Sequence, residues 1–98
     1  MYAALITLTI DPSQASAAAA AFSQTILPRV TAAEGFAGGY WVDPVDGEGF
    51  GFVLFDTAEQ ARRATPPAAG WSAPGVTIRR VDVRRVAVAI PTTRGTPP

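Results

Sequence analysis

A single α+β domain, with its elements in the order β-α-β-β-α-β, is what this sequence predicts. Three observations carry that reading. Strand-like stretches stand at 2–10, 38–42, 48–55 and 76–90. Helical patterns separate the first stretch from the second and the third from the fourth. An Asp46-Gly47 turn joins the middle two as a hairpin.

In the first strand, Thr7 and Thr9 alternate with Ile6, Leu8 and Ile10, the period of a pleated sheet. Asp11 and Pro12 then start a helix: Asp11 suits an N-cap, Pro12 suits the first turn, and Gln14 has capping-box spacing. The alanine run 17–21 favours helix, and Phe22, Ile26 and Val30 form one apolar stripe. Pro28 should kink or end the helix near Leu27, with one more turn to Ala33. Glu34-Gly35-Phe36 is a helix exit, followed by the second and third strands around Asp43-Pro-Val-Asp-Gly47. Asp56 to Glu59 caps a second helix, which runs through Ala61 and Ala64 until Pro66-Pro67 stops it. A Pro/Ala/Gly loop at 65–75 holds Trp71 and leads into the last strand, Val76 to Ile90. The domain is expected over 1–90, with 91–98 a loose polar tail. The order is the ferredoxin-like, split βαβ arrangement: a four-stranded antiparallel sheet with two helices on one face.

Composition narrows the chemistry. The chain has 98 residues, no cysteine and no histidine, and all eight basic residues are arginine, balanced by eight acids. Disulfides and the usual zinc or haem ligands are therefore excluded, as are lysine Schiff bases. A net charge of zero argues against nucleic-acid binding. No apolar run reaches the ~18–20 residues of a membrane span, and the N-terminus reads as a strand, not a signal peptide, so a cytoplasmic location is expected. No cofactor is expected.

Pairing with a second copy is predicted on three grounds. A chain this short buries only about 60–65% of its unfolded surface on folding. Two helices cover one sheet face, yet Phe50, Phe52 and Leu54 point one way and Val53 and Phe55 the other, so both faces are apolar. Sheets packed face to face resolve this. The stretch 76–90, at about 3.3 Å per residue, spans roughly 50 Å, too long for a domain with a radius of gyration near 13 Å. Its alternation slips: Val81 and Val83 share one parity, Val86, Val88 and Ile90 the other. A bulge or bend is expected near 82–85, with the part beyond it against the partner.

Leu27-Pro28 with Glu34 to Tyr40, Asp46 to Phe50 with Phe55 to Glu59, and Pro74-Gly75-Val76 with Val81 to Val83 together resemble the dimeric α+β barrel superfamily. Within it the chain resembles the antibiotic biosynthesis monooxygenase-like family and its actinobacterial relatives, over roughly residues 2–90. The resemblance implies a homodimer joined through its sheets and a pocket between sheet and helices. It implies cofactor-independent oxygenation of a small aromatic, polyketide-type molecule, or oxidative haem breakdown. The family's functional tryptophan falls on Phe55 and its first-strand asparagine near Thr7, while the histidine of haem degraders has no counterpart. The alternative implied is a non-catalytic small-ligand-binding or stress-related homodimer.

The pocket candidates are Thr7, Phe22, Arg29, Tyr40, Phe52, Phe55 and Trp71. Tyr40 and Trp41 are strand neighbours and so face opposite sides; packing is the plainer reading, stacking on a flat ligand the functional one. Trp71 is either a plug over the second helix or a lid. Thr7 offers a hydroxyl but is also simply a good strand former. Arg29, Arg62 and Arg63 could hold an anion, though Arg62 has the i,i+3 spacing to pair with Glu59. Arg79-Arg80 and Arg84-Arg85 are expected in ion pairs across subunits with Asp82 or Asp43, or as edge protection. No catalytic residue can be assigned, and no paired carboxylates, Ser/His/Asp set or phosphate loop emerges; Gly47, Gly49 and Gly51 lack a strand-to-helix setting.

Overall fold

A computed structural model describes residues 1–65 and 73–90. Four strands, β1 (Tyr2–Ile10), β2 (Phe36–Val45), β3 (Glu48–Phe55) and β4 (Val76–Arg85), form one antiparallel sheet in the order β2-β3-β1-β4. Helical chain covers one face: α1 (Ala15–Ala21), a π-helical turn (Phe22–Ile26), α2 (Leu27–Thr31) and α3 (Ala58–Ala64). This is the ferredoxin-like α+β architecture predicted.

Asp11 caps the turn at Pro12–Gln14 by accepting from the backbone N–H of Ser13 at 2.9 Å and from its hydroxyl at 2.8 Å. The Ser13 hydroxyl bond first, then the backbone bond, lowers the Asp11 pKa below 3.8. Pro28 does not end the helix. The backbone N–H of Leu27 donates to Phe22 O, five residues back, so the ladder widens just before the proline, which then sits in the first turn of α2. Thr57 and Gln60 form a full capping box on α3. Asp46 and Gly47 both have positive φ, 53° and 78°, the requirement of a two-residue hairpin turn of the primed type.

Register assigns the faces. Ile6 lies opposite Gly51 and Val81; Leu8 lies opposite Gly49 and Ile78; Phe36 lies opposite Phe55. These residues face the helices, and Ile6, Val53 and Phe55 form the core with Ile26, Val30 and Ala61. On the other face Leu5 lies opposite Phe52 and Asp82, Thr7 opposite Phe50 and Arg80, and Tyr40 opposite Phe52. Leu5, Tyr40, Val42, Phe50 and Phe52 are all exposed there.

Three expectations are corrected. β4 ends at Arg85, not Ile90, and its irregularity lies where Arg79 is skipped between the Thr7–Arg80 and Leu8–Ile78 pairs, upstream of the expected place. This bulge puts Ile78 on the same face as Val81 and Val83, all toward the core, while the parity slip between Val83 and Val86 falls where the strand ends at Arg85. Val86 still donates to Met1 O at 3.0 Å; beyond it Val88 and Ile90 are 76% and 88% exposed. Arg63, not Arg62, pairs with Glu59, because i,i+4 stacks side chains along α3. Arg80 pairs with Asp82 at 2.7 Å within its own strand, since residues two apart share a face. The expected helix stop at Pro66-Pro67 and the tail 91–98 lie outside the described residues.

Candidate functional site

The sheet's helix face is not filled along its whole length. The side chains of Val53 and Phe55 fill it beside α2 and α3, but the same face of β3 continues as Gly51 and Gly49. Above these glycines lies α1, whose alanines bring little bulk. Short side chains on both layers leave a cleft of about 800 Å³ between α1, the π-helical turn and the β2–β3 hairpin. That volume lies within the usual range for small-molecule sites.

Leu8, Ile10, Ala15, Ala18, Ala19 and Leu27 give the cleft apolar walls. Phe22 and Trp41 also line it, meeting edge to face with ring centroids 4.7 Å apart. The Trp41 ring backs onto Gly51: a Cβ built there would stand 2.2 Å from the indole. Gly49 leaves the floor lower still, with Leu8 and Pro44 as its neighbours. Asp43, exposed at the rim, is the one ionisable side chain among the described lining residues.

The sequence candidates distribute over four places. Phe22 lines the cleft. Thr7, Tyr40 and Phe52 stand on the opposite face of the sheet, where Tyr40 is 75% exposed. Phe55 is fully buried in the core, edge to face with Phe36. Arg29 borders a separate hollow of about 310 Å³ with Glu34, Gln60 and Arg63, where Gln60 donates to Glu34. Trp71 lies outside the described residues. The split of Tyr40 and Trp41 to opposite faces follows the alternation expected, with Trp41 on the helix side. The cleft takes Trp41, the alternative to Tyr40 as the stacking residue, and adds Leu8, Ala18, Gly49 and Asp43, which the sequence candidates omitted. The available signal was the Gly49, Gly51 alternation, which strips one face of β3 beside a bulky Trp41.

Among the described residues no group of His, Cys, Asp and Glu is placed to hold a metal ion. No helix there is long and apolar enough to cross a membrane.

No family model matches the sequence, and no curated protein matches it. Among solved structures the chain is similar to an arginine-to-serine mutant of MhuD crystallised with two manganese protoporphyrin IX bound per active site. That likeness has a TM-score of 0.71 at 14% identity and covers 94% of this chain and all of that one. At that identity the likeness establishes the fold. The chain thus has the ferredoxin-like α+β fold that its turn residues and strand spacing predicted.

Proposed function

We propose that this chain is a monooxygenase-like protein, working as a homodimer, whose cleft takes a small, flat aromatic molecule of the polyketide type. The observation that carries the reading is the cleft itself: about 800 Å³, apolar on nearly every side, with the Phe22–Trp41 corner in its wall. Such walls gain from burying apolar ligand surface, and aromatic edges and faces favour a planar ligand.

The reaction that suits it is cofactor-independent oxygenation of an activated methylene between aromatic rings. The methylene loses a proton, and the resulting carbanion passes electrons to O₂. One oxygen atom becomes the new carbonyl and the other leaves as water. The substrate supplies all four electrons, so the balance needs no flavin or metal. The protein's part is to bind the ring system, exclude water and accept the proton. Asp43 is the carboxylate at hand for that last task.

An iron porphyrin does not fit these walls. The sequence has no histidine or cysteine, and the cleft's described lining offers no tyrosine, so the usual axial ligands are missing. The porphyrin of MhuD is that protein's ligand.

Oxygen uptake with a hydroxylated anthrone tests the reading. One O₂ consumed per quinone formed, falling to background in Asp43→Asn, is the expected result. A second reading, a ligand-binding or stress-related homodimer without turnover, is favoured by the exposure of that single carboxylate. Binding without oxygen uptake selects it.

The homodimer is supported by the outer sheet face. Leu5, Tyr40, Val42, Phe50 and Phe52 are exposed on adjacent strands, more contiguous apolar surface than a small monomer usually shows to water. A second copy packed sheet to sheet would cover it, and the exposed Val88 and Ile90 would reach the partner.

A further inference from the structure

The cleft's size depends on a contact that is not itself ligand-facing. Trp41 is the largest side chain in the wall, and its position is fixed on two sides. Its ring rests on the backbone of Gly51, its cross-strand partner, and packs edge to face with Phe22, ring centroids 4.7 Å apart. A methyl at Gly51 would overlap three indole carbons, at 2.2, 2.4 and 2.6 Å. Ordinary contact begins near 3.4 Å, so the ring would have to move by more than an ångström. The sheet backbone blocks one direction and Phe22 a second. Trp41 is half-buried on the edge strand β2, so the ring must move either into the cleft it lines or outward to solvent, and the first movement narrows the site.

The same strand offers an internal comparison. A methyl at Gly49, two residues earlier on the same face, would meet Leu8 at 3.2 Å, and a leucine tip gives way by a few tenths of an ångström. The two glycines are alike in sequence but not in consequence: at Gly51 the obstacle is a rigid aromatic ring held by another ring.

We infer that Gly51 sets the size class of the ligand. By letting Trp41 lie flat on bare backbone it keeps the cleft wide enough for a fused polycyclic aromatic. Any side chain at 51 narrows the site to single-ring molecules. This rests on the binding reading above and names the substrate class within it. Gly51 is a positioning residue acting through Trp41.

The test is calorimetric titration of the purified chain with two probes, dihydroxyanthraquinone and phenol, for wild type, Gly51→Ala and Gly49→Ala. Wild type is expected to bind the tricyclic probe more tightly than phenol. In Gly51→Ala the tricyclic affinity should fall by about tenfold or more, the scale of an overpacking penalty, while phenol affinity changes by less than about threefold. Gly49→Ala, whose methyl enters the cleft floor beside Leu8 without displacing Trp41, should weaken both probes by similar factors. Where Gly51→Ala does not fold, Trp41→Phe/Gly51→Ala decides: its smaller ring makes room for the methyl, and tricyclic binding within about threefold of Trp41→Phe alone supports the inference. Equal losses for both probes in Gly51→Ala, no loss, or a double variant that folds and stays about tenfold weaker than Trp41→Phe would overturn it. If wild type binds neither probe, the binding reading itself falls, a result visible before any variant is compared.

Discussion

Phe55 shows how residue identity and residue role part company. It stands where the resembled family carries a functional tryptophan, yet it is fully buried against Phe36, Val53 and Ile6. Its loss is a cavity problem: Phe55→Ala should cost about 3–5 kcal/mol in urea denaturation. A cost under about 1 kcal/mol would mean the core collapses around it or is not packed this way. Asp11 is a different case, an exposed carboxylate held ionised by Ser13. Its folded pKa lies below the ordinary carboxylate value of 3.8, so its contribution is fully present above that value and is lost as pH falls through the folded pKa. Asn at position 11 keeps the cap without the charge. The stability advantage of wild type over Asp11→Asn should therefore shrink in acid below pH 3.8 and stay constant between pH 5 and 8.

At the scale of elements, two ends of helical chain are solved by different means. α3 is only seven residues long and leans on its capping box, with Thr57 and Gln60 satisfying each other's backbone. Thr57→Ala should cost about 1 kcal/mol, read from the urea midpoint. The Arg63–Glu59 pair on the same helix is well exposed on both partners, and its removal should change stability by less than about 0.5 kcal/mol. The helix over 15–31 solves its proline by widening one turn ahead of it. Pro28 predicts a kink or an end near Leu27 from sequence, with one further turn, because it lacks a donor. A π-helical turn places that missing donor in a first turn, where none is needed, and the chain stays helical.

For the whole molecule, the decisive feature is a sheet with one face covered by helices and, among the described residues, large apolar side chains exposed on the other. Association in solution is the measurement that tests it. Sedimentation equilibrium at micromolar concentration should give twice the chain mass. Phe52→Arg, which sets a charge in the middle of the apolar outer face of each copy, should weaken association by about a hundredfold while the far-UV spectrum stays that of a folded chain. A wild-type chain that sediments as a monomer would refute sheet-to-sheet pairing. One whose dimer survives Phe52→Arg would move the interface elsewhere.

The order of elements, the Asp46-Gly47 hairpin, the caps at Asp11 and Thr57 and the apolar character of both sheet faces were written in the sequence. Each depends on residues within a few positions of one another, and local chemistry decides them. The side of the sheet that met the helices was not so written. Alternation separates Tyr40 from Trp41 and Phe52 from Val53, but it is symmetric between faces until a helix lies on one of them. The bulge at Arg79 was hidden for a related reason: its place depends on which β1 residue each β4 residue meets. So the candidates Thr7, Tyr40 and Phe52 stand on the outer face, and Trp41 lines the cleft over Gly51. Strand period is a property of the chain; which period faces the helices is a property of packing, and only the tertiary structure decided it.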